Sequence, residues 1–382
     1  MIEWQRGQPA GEIDTPALML DIGAAERNIR KMADRFAGRP TRLRPHVKTH
    51  KTPILAHKQL AAGAIGVTCA KLSEAEVMIA AGIPEVLVSS EIVGPAKVAR
   101  LVALSRHARV ITVVDDAAAA RALSDAAAAA GLRIPALVDL DLGQGRTGVP
   151  PGEPARARAR EVAAMPGLAL AGVQGYEGHL QHVTRAAERA EACQKAMRAL
   201  TDTAGLLRGA GLPVEIVTTG GTGTHAFAGE FPGVTEIQPG SYVVMDTHYG
   251  TIEGVEFEQA IFLLATVISK TRADTAVVDA GFKSASLDSG MPGVRRVLGA
   301  MGAPRGQAAP RAEASGAEFL FAGDEHGLVV FDGPRADVRV GDKIELVPSH
   351  CDTTINLHDV YWVVRDGRLE DVWPIAARGK IR

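Results

Sequence analysis

Aromatic residues and cysteines are both scarce in this sequence. Phe, Trp and Tyr make up only 4% of its 382 residues, so we expect no stacking platform for nucleic-acid bases or sugars. The three cysteines, Cys69, Cys193 and Cys351, lie far apart and form no Cys-x-x-Cys pair. Sparse, unpaired cysteines argue against a disulfide framework and predict a reducing compartment. We therefore expect a cytoplasmic protein.

The sequence also lacks an excess of charge and a long hydrophobic run. Its 42 Lys and Arg against 44 Asp and Glu give a net charge of −2, which excludes a globally basic nucleic-acid binder and gives no attraction to anionic membranes. The longest apolar run, near residues 260–268, is about half of the roughly 20 residues that a membrane span needs. No secretory signal precedes it, because the first twenty residues contain no apolar segment after a basic start. We therefore expect a partner that is neither a nucleic acid nor a membrane.

Short β-branched runs alternate with Ala-rich helical segments through roughly the first two thirds of the chain. The strand candidates are 42–48, 65–70, 85–90, 110–115, 134–142, 168–176, 214–219 and 236–244. The helix candidates are 24–36, 53–62, 73–81, 96–106, 117–130, 154–164 and 185–209. Eight strands in this alternation predict a (β/α)8 barrel. A doubly wound open sheet is the competing arrangement, but no Gly-x-Gly-x-x-Gly follows the first strand.

The sequence changes character at about residue 255. Helical periodicity ends, and strand-like runs separated by Gly, Asp and Pro turns follow. These runs lie at 259–269, 275–279, 318–322, 328–331 and 343–347. They predict a second, all-β domain that extends to the C-terminus, with an exposed loop at 299–316.

The segment 44–51, Arg-Pro-His-Val-Lys-Thr-His-Lys, ends the first predicted barrel strand. Arg44, His46, Lys48 and His50 would share one face of a strand, because side chains alternate with a period of two. Barrel enzymes place catalytic groups at this end of their strands. Neighbouring cations would also lower the pKa of a lysine, as a Schiff base requires. A solvated basic edge is the alternative reading of the same position.

Two glycine-containing loops follow the fifth and seventh predicted strands. In the first loop, 139–148, Arg146 could contact a ligand oxygen or pair with Asp139 or Asp141. The second loop, 218–224, reads Thr-Thr-Gly-Gly-Thr-Gly-Thr, and its amides and hydroxyls could bind phosphate oxygens. Because barrels often bind phosphate in the loops after strands seven and eight, we favour a phosphate site over a simple turn.

A further candidate site is the segment 349–352, Ser-His-Cys-Asp, in the predicted β domain. If the segment is extended, His350 and Asp352 project to the same side and offer an imidazole and a carboxylate to one metal ion. Two protein ligands would leave positions for water and substrate, which suits catalysis. A surface His–Asp pair is the alternative.

Taken together, these segments resemble the D-threonine aldolase family. Its members are fold-type III pyridoxal-phosphate enzymes, related to D-serine dehydratase and more distantly to alanine racemase. The matching motifs lie at 15–17, 44–51, 69–76, 143–148, 219–224, 238–240 and 349–352, in the family's order. The elements Arg-Pro-His-x-Lys-Thr-His and Ser-His-Cys-Asp are specific, whereas the glycine loops are not. The resemblance implies a barrel over residues 10–254 and an all-β domain over residues 255–382. About residues 1–9 would also belong to the all-β domain.

The resemblance also implies roles for the site residues. It places the Schiff base on Lys48 rather than Lys51, and a divalent metal, Mn²⁺ or Mg²⁺, on His350 and Asp352. Gln238 stands where the racemases have an arginine beside the pyridine nitrogen, so its neutral amide should leave that nitrogen largely unprotonated. The other implied cofactor contacts are Arg146 near the phenolic oxygen, Tyr176, Thr219, and the phosphate-loop residues Gly221, Thr222 and Gly223.

The implied reaction is a retro-aldol cleavage of D-threonine and related D-3-hydroxy amino acids to glycine and an aldehyde. The metal would hold the β-oxygen, and His179 or metal-bound hydroxide would take the hydroxyl proton. The closest rival is a metal-activated dehydratase of the D-serine or 3-hydroxyaspartate type, which would give a keto acid and ammonia. The resemblance further implies a homodimer.

Overall fold

The computed structural model describes residues 4–299 and 316–382. Strands and helices are numbered in chain order, and strand β1 is given below with the second sheet. The first sheet contains the eight strands β2 Arg42–Leu43, β3 Val67–Cys69, β4 Glu85–Val88, β5 Arg109–Val114, β6 Ile134–Leu140, β7 Leu168–Gly175, β8 Ile216–Thr219 and β9 Glu236–Ile237. All of their pairings are parallel, in the order β2-β9-β8-β7-β6-β5-β4-β3.

The two end strands of this sheet meet just beyond β2. His46 and Thr68 form a parallel bridge, the amide of Val47 donates to the carbonyl of Thr68 at 2.8 Å, and the amide of Thr68 donates to Pro45 at 2.9 Å. This contact joins the sheet into a ring. The predicted (β/α)8 barrel is therefore confirmed, with all eight predicted strands in it.

Seven longer helices alternate with these strands: α1 Ile22–Phe36, α2 Pro53–Ala61, α3 Leu72–Ala80, α4 Pro95–Leu104, α5 Ala117–Ala129, α6 Glu153–Ala163 and α7 Ala186–Gly209. Side chains of Asp21 and Asp116 cap α1 and α5 by accepting from main-chain amides in the first turn. The helices pack over strand residues such as Val86 and Val110, whereas Leu87 and Ile111 on the alternate strand face form a separate apolar cluster inside the barrel.

Among the described residues, the second sheet has nine strands: β1 Ala17–Asp21, β10 Ile261–Ser269, β11 Thr275–Val278, β12 Gly293–Leu298, β13 Ala317–Phe321, β14 Gly327–Phe331, β15 Lys343–Val347, β16 Val360–Arg365 and β17 Arg368–Pro374. Their order is β11-β14-β13-β12-β15-β10-β1-β16-β17. Three further, short α-helices lie in the described residues, α8 His225–Ala228, α9 Thr247–Gly250 and α10 Cys351–Ile355. Helix α10 follows β15 directly, so the second domain brings the segment 349–352 to the barrel.

Strand β1 corrects the expected start of the barrel at residue 10. It pairs antiparallel with β10 and parallel with β16, and so belongs to the second sheet. Both of its faces are buried, because Leu18 and Leu20 join the main core whereas Ala17 and Met19 join the core of the second domain. The segment thus lies at the contact between the two domains. Of the predicted loop 299–316, residues 300–315 lie outside the described part of the chain.

Two predicted strands end earlier than expected. Strand β2 stops at Leu43, extended chain continues to His46, and a turn follows in which the amide of Lys51 donates to Val47 at 2.8 Å. Strand β9 stops at Ile237, and residues Ser241–Val243 form a 3₁₀ turn. Pro45 and Pro239 lack the amide hydrogens that a continued ladder would need.

In the described ranges, no helix is long and apolar enough to cross a membrane.

Candidate active site

A cavity of about 620 Å³ lies where the carboxyl ends of the barrel strands meet the second domain. Nine of the residues predicted for the site line it: Lys48, Arg146, Tyr176, Thr219, Gly221, Thr222, Gln238, His350 and Asp352. Two predicted residues, His179 and Gly223, are not among its lining residues. Residues that are distant in sequence therefore converge in one cavity.

Lys48 reaches this cavity from the turn after β2, and its ammonium group contacts the carboxylate of Asp352. Burial lowers the pKa of Lys48, but the charge of Asp352, the nearby Tyr176 and the hydrogen bond to Asp352 together raise the pKa above its ordinary value. The expected lowering of this pKa by neighbouring cations is therefore wrong for the protein in this state. The same ion pair holds the pKa of Asp352 below its usual range, although burial acts in the opposite direction.

The other lysine of the motif is buried away from the cavity. Nζ of Lys51 lies 2.5 Å from Oε1 of Glu74, a carboxylate that also accepts from the amides of Ala70 and Lys71. His50 likewise turns into the core, where its ring contacts Gln59. Of the four residues expected on one strand face, only His46 and Lys48 thus line the cavity.

His350 and Asp352 lie on either side of Cys351, at the start of α10. Nδ1 of His350 lies 2.5 Å from Oδ2 of Asp288, which leaves Nε2 free to bind a metal. Cys351 is fully buried, and its amide donates to Asp246 at 3.0 Å. Cys351 is also absent from the residues that line the cavity. Within residues 4–299 and 316–382, no group of three or more His, Cys, Asp and Glu side chains could hold a metal ion.

The loop after β8 is held from behind by two buried residues. Glu177 accepts from the hydroxyl of Thr219 at 2.9 Å, and Oε1 of Gln181 accepts from the amide of Gly223 at 2.9 Å. A Cβ atom on Gly223 would collide with the main chain of Gln181. The predicted role of Gly223 in phosphate binding is therefore corrected: its amide is committed to Gln181, and the residue is small because of packing. Thr219, Gly221 and Thr222 remain at the cavity.

Arg146 makes no salt bridge within the described residues. Asp141 instead accepts from the amides of Gly143 and Gly145, and Asp139 accepts from Gln174 and Thr147. The guanidinium group of Arg146 faces the ring of Tyr176, 5.6 Å from its centroid. Neither neighbouring aspartate therefore neutralises Arg146. Its positive charge remains available to bind an oxygen atom of a ligand in the cavity.

His182 also lines the cavity, and the sequence reasoning missed it. Its ring stacks on His248 at 3.9 Å and lies 4.6 Å from the ring of Tyr249. Burial, and then the charge of His248, lowers the pKa of His182 to about 4, so its ring is neutral at physiological pH. His179 instead lies against Gly143 in the loop after β6. We therefore replace His179 by His182 as the candidate base.

The features above meet the needs of one cofactor. Lys48 provides an amine, Arg146 an unneutralised cation, and the loop after β8 a set of hydroxyls and amides within the same cavity. An aldehyde, a phenolic oxygen and a phosphate group on one ligand would match these three features. The barrel and this donor set define the fold-type III class of pyridoxal-phosphate proteins.

Comparison with known proteins agrees with this class. Residues 20–248 match the family described as alanine racemase, N-terminal domain, and residues 260–364 match the putative serine dehydratase domain. The chain is 41% identical to D-threonine aldolase of Arthrobacter sp over 378 residues, which are 98% of this chain and 95% of that protein. It is 38% identical to 3-hydroxy-D-aspartate aldolase of Paracoccus denitrificans over 384 residues, which are 98% and 94% of the two chains.

A solved structure shows the same relationship. The crystal structure of D-threonine aldolase from Filomicrobium marinum matches with a TM-score of 0.92 and 41% identity, and the match covers 100% of both chains. The chain therefore belongs to the alanine racemase-like, fold-type III pyridoxal-phosphate family, within its D-threonine aldolase group.

Proposed function

We propose that this protein is a pyridoxal-phosphate- and divalent-metal-dependent aldolase that cleaves D-threonine and related D-3-hydroxy amino acids to glycine and an aldehyde. The contact between Lys48 and Asp352 carries the proposal. It joins the lysine that would bind the cofactor to a carboxylate that would bind a metal. A substrate attached through its amine at the first group would therefore have its β-oxygen close to the second.

The chain's own residues would position the cofactor and substrate. When bound, pyridoxal phosphate accepts the electron pair that remains on Cα after the Cα–Cβ bond breaks. Thr219, Gly221 and Thr222 would hold its phosphate, and Arg146 would contact its phenolic oxygen. Lys48 would hold its aldehyde carbon until the substrate amine replaces the lysine amine.

A divalent cation, Mn²⁺ or Mg²⁺, would bind to Nε2 of His350 and the carboxylate of Asp352. A carboxylate is a hard ligand and suits these ions. An amine that has joined the cofactor cannot also serve as the counter-ion of Asp352, so that buried carboxylate would need another cation. Two protein ligands leave positions open for the substrate oxygen.

His182 would take the proton from the β-hydroxyl group. It is a neutral histidine on the cavity wall, and a neutral imidazole is able to accept a proton. Its stacking contact with His248 fixes the ring orientation. Removal of that proton allows the β-oxygen to become the carbonyl oxygen of the released aldehyde.

The match of residues 260–364 to a putative serine dehydratase domain favours a metal-activated dehydratase as the second candidate. Incubation of the purified protein with D-threonine and Mn²⁺ separates the two reactions. The aldolase would release glycine and acetaldehyde. Formation of 2-oxobutanoate and ammonia in their place would exclude the aldolase reaction.

The lysine assignment has its own experiment. The protein loaded with pyridoxal phosphate should absorb in the near-violet region, and borohydride should abolish that band. Lys48→Ala should never show the band, whereas the control Lys51→Arg, which keeps a cation beside Glu74, should keep it. A reducible band in Lys48→Ala that is missing from Lys51→Arg would reassign the lysine.

We also propose a homodimer in the cytoplasm. The dimer rests on membership of the family, and multi-angle light scattering after size exclusion would test it. The location rests on three cysteines that are all free and buried, as a reducing compartment would leave them. Cell fractionation would test the location.

A further inference from the structure

A chain of hydrogen bonds leads from the cavity wall to a buried aspartate. Nε2 of Gln238 donates to Oε1 of Gln174 at 3.2 Å and to the hydroxyl oxygen of Thr218 at 2.8 Å. Nε2 of Gln174 donates to Oδ1 of Asp139 at 3.0 Å. Thr147 donates to the other oxygen of Asp139, also at 3.0 Å. Gln238, Gln174 and Asp139 are all buried, and each lines the cavity that contains Lys48.

When Asp139 is ionised, its charge determines the direction of this chain. An ionised carboxylate only accepts hydrogen bonds, so Gln174 must present its NH₂ group to Asp139 and its carbonyl oxygen to Gln238. Gln238 must then present its own NH₂ group to Gln174. Both of its N–H bonds are used, by Gln174 and Thr218. The carbonyl oxygen Oε1 is left, and none of the described residues donates to it.

We propose that Asp139, acting through Gln174, orients the amide of Gln238 so that its carbonyl oxygen accepts a hydrogen bond from a protonated ring nitrogen of the bound cofactor. The inference rests on the proposed function and on the family resemblance, which implies that Gln238, a cavity-lining residue, lies beside that nitrogen. It reverses the expectation that a neutral amide leaves the nitrogen unprotonated, because a carbonyl oxygen accepts a hydrogen bond that only a protonated ring nitrogen can donate. A cofactor ring that is protonated at this nitrogen withdraws more electron density from the Cα atom of the substrate than a neutral ring does.

The neighbours of Asp139 determine the conditions for the experiment. Burial, and also the nearby carboxyl group of Glu91, raise the pKa of Asp139 to about 7, while the hydrogen bonds from Gln174 and Thr147 lower it. Glu91 itself has a buried oxygen, Oε1, without a hydrogen-bond partner among the residues described. Measurements at about pH 8 would therefore keep Asp139 ionised.

The experiment is ¹⁵N NMR of the holoenzyme loaded with pyridoxal phosphate that carries ¹⁵N in its ring, because the chemical shift separates a protonated from a neutral ring nitrogen. The wild-type protein should give the protonated signal. Gln238→Met has no acceptor and should give the neutral signal, whereas Gln238→Glu keeps an acceptor and should give the protonated one. This pair tests the proposal at the residue that faces the cofactor.

Asp139→Asn and Gln174→Met test the chain behind Gln238. Each should lower the proton affinity of the ring nitrogen about tenfold or more, the effect of one hydrogen bond to a charged group. Thr147→Val is the matched control, since it removes a different hydrogen bond from Asp139 and should leave the wild-type signal. A neutral nitrogen in the wild type, or an unchanged signal in both Asp139→Asn and Gln174→Met, would overturn the inference alone. A protein that binds no pyridoxal phosphate would overturn the proposed function as well.

Discussion

Asp288 contacts the imidazole of His350 across a separation of 62 residues, with 2.5 Å between Oδ2 and Nδ1. The other oxygen of Asp288 accepts from the hydroxyl of Thr353 at 2.8 Å, so this carboxylate is fixed from two sides. The contact commits Nδ1 of His350 to Asp288, so that Nε2 is the ring nitrogen that would bind a metal. It also holds the pKa of Asp288 below its usual range, although partial burial acts in the opposite direction.

Replacement of Asp288 should therefore weaken metal binding without removing a ligand. Loss of a carboxylate that orients a metal-binding histidine typically costs about 10- to 100-fold in affinity. We expect Asp288→Asn to lower the affinity for Mn²⁺ by this factor, measured from the EPR signal of unbound Mn²⁺. Asp324→Asn, at an exposed aspartate beside Lys283, is the control and should bind Mn²⁺ like the wild type. Equal affinities in both variants would show that Asp288 does not orient His350.

His182 and His179 offer a direct comparison, because they are three residues apart and His182 alone lines the cavity. A general base typically contributes about 10²- to 10⁴-fold to the rate. We expect His182→Asn to lower kcat for D-threonine cleavage by a factor in that range, with KM little changed. His179→Asn should retain most of the activity. The opposite ranking, measured by acetaldehyde release, would restore His179 as the base.

The barrel could be predicted because its signals are local. Each strand and helix is encoded by a short run of residues, and the alternation of the runs determines the topology. Strand β1 could not be found in this way. It has only five residues, runs directly into α1, and its partners Leu263 and Trp362 lie more than 200 positions further along the chain. Its membership of the second sheet depends on contacts that no local pattern records.

The candidate site divides in the same way. Lys48, His350 and Asp352 belong to contiguous motifs, so a resemblance at the sequence level was sufficient to predict a shared site, and all three line the cavity. Asp288 and Gln174 act through side chains distant in sequence, and no spacing indicates those contacts. The error at Gly223 has another cause. A glycine in a phosphate-type loop predicts a free amide, but here the amide is bound to Gln181.

Gly223 should resist substitution for that reason. A methyl group there would collide with the main chain of Gln181, which cannot move as a flexible side chain would. We expect Gly223→Ala to lower the free energy of unfolding by about 1–3 kcal/mol. Gly205→Ala is the matched control, because Gly205 lies inside α7 with open space around it. This substitution should raise the free energy of unfolding by about 1 kcal/mol. Urea denaturation measures both changes, and an unaffected Gly223→Ala would contradict the packing role.

The buried His225 should make stability depend on pH. Burial lowers its pKa from 6.5 to about 4, although its hydrogen bond to the carbonyl of Thr222 acts in the opposite direction. Between these values the unfolded chain binds a proton at this residue and the folded protein does not. The free energy of unfolding therefore falls as the pH decreases from about 6.5 to about 4, by up to about 3 kcal/mol from this group.

His225→Asn keeps a donor for the carbonyl of Thr222 and removes the titration. We expect its free energy of unfolding to fall less steeply than that of the wild type over this pH range, with parallel curves above about pH 7. His107→Asn, at an exposed histidine beyond the end of α4, is the control and should follow the wild-type curve. Urea denaturation at a series of pH values provides the comparison. If His225→Asn and the wild type have the same slope between about pH 4 and 6.5, the buried imidazole does not carry this dependence.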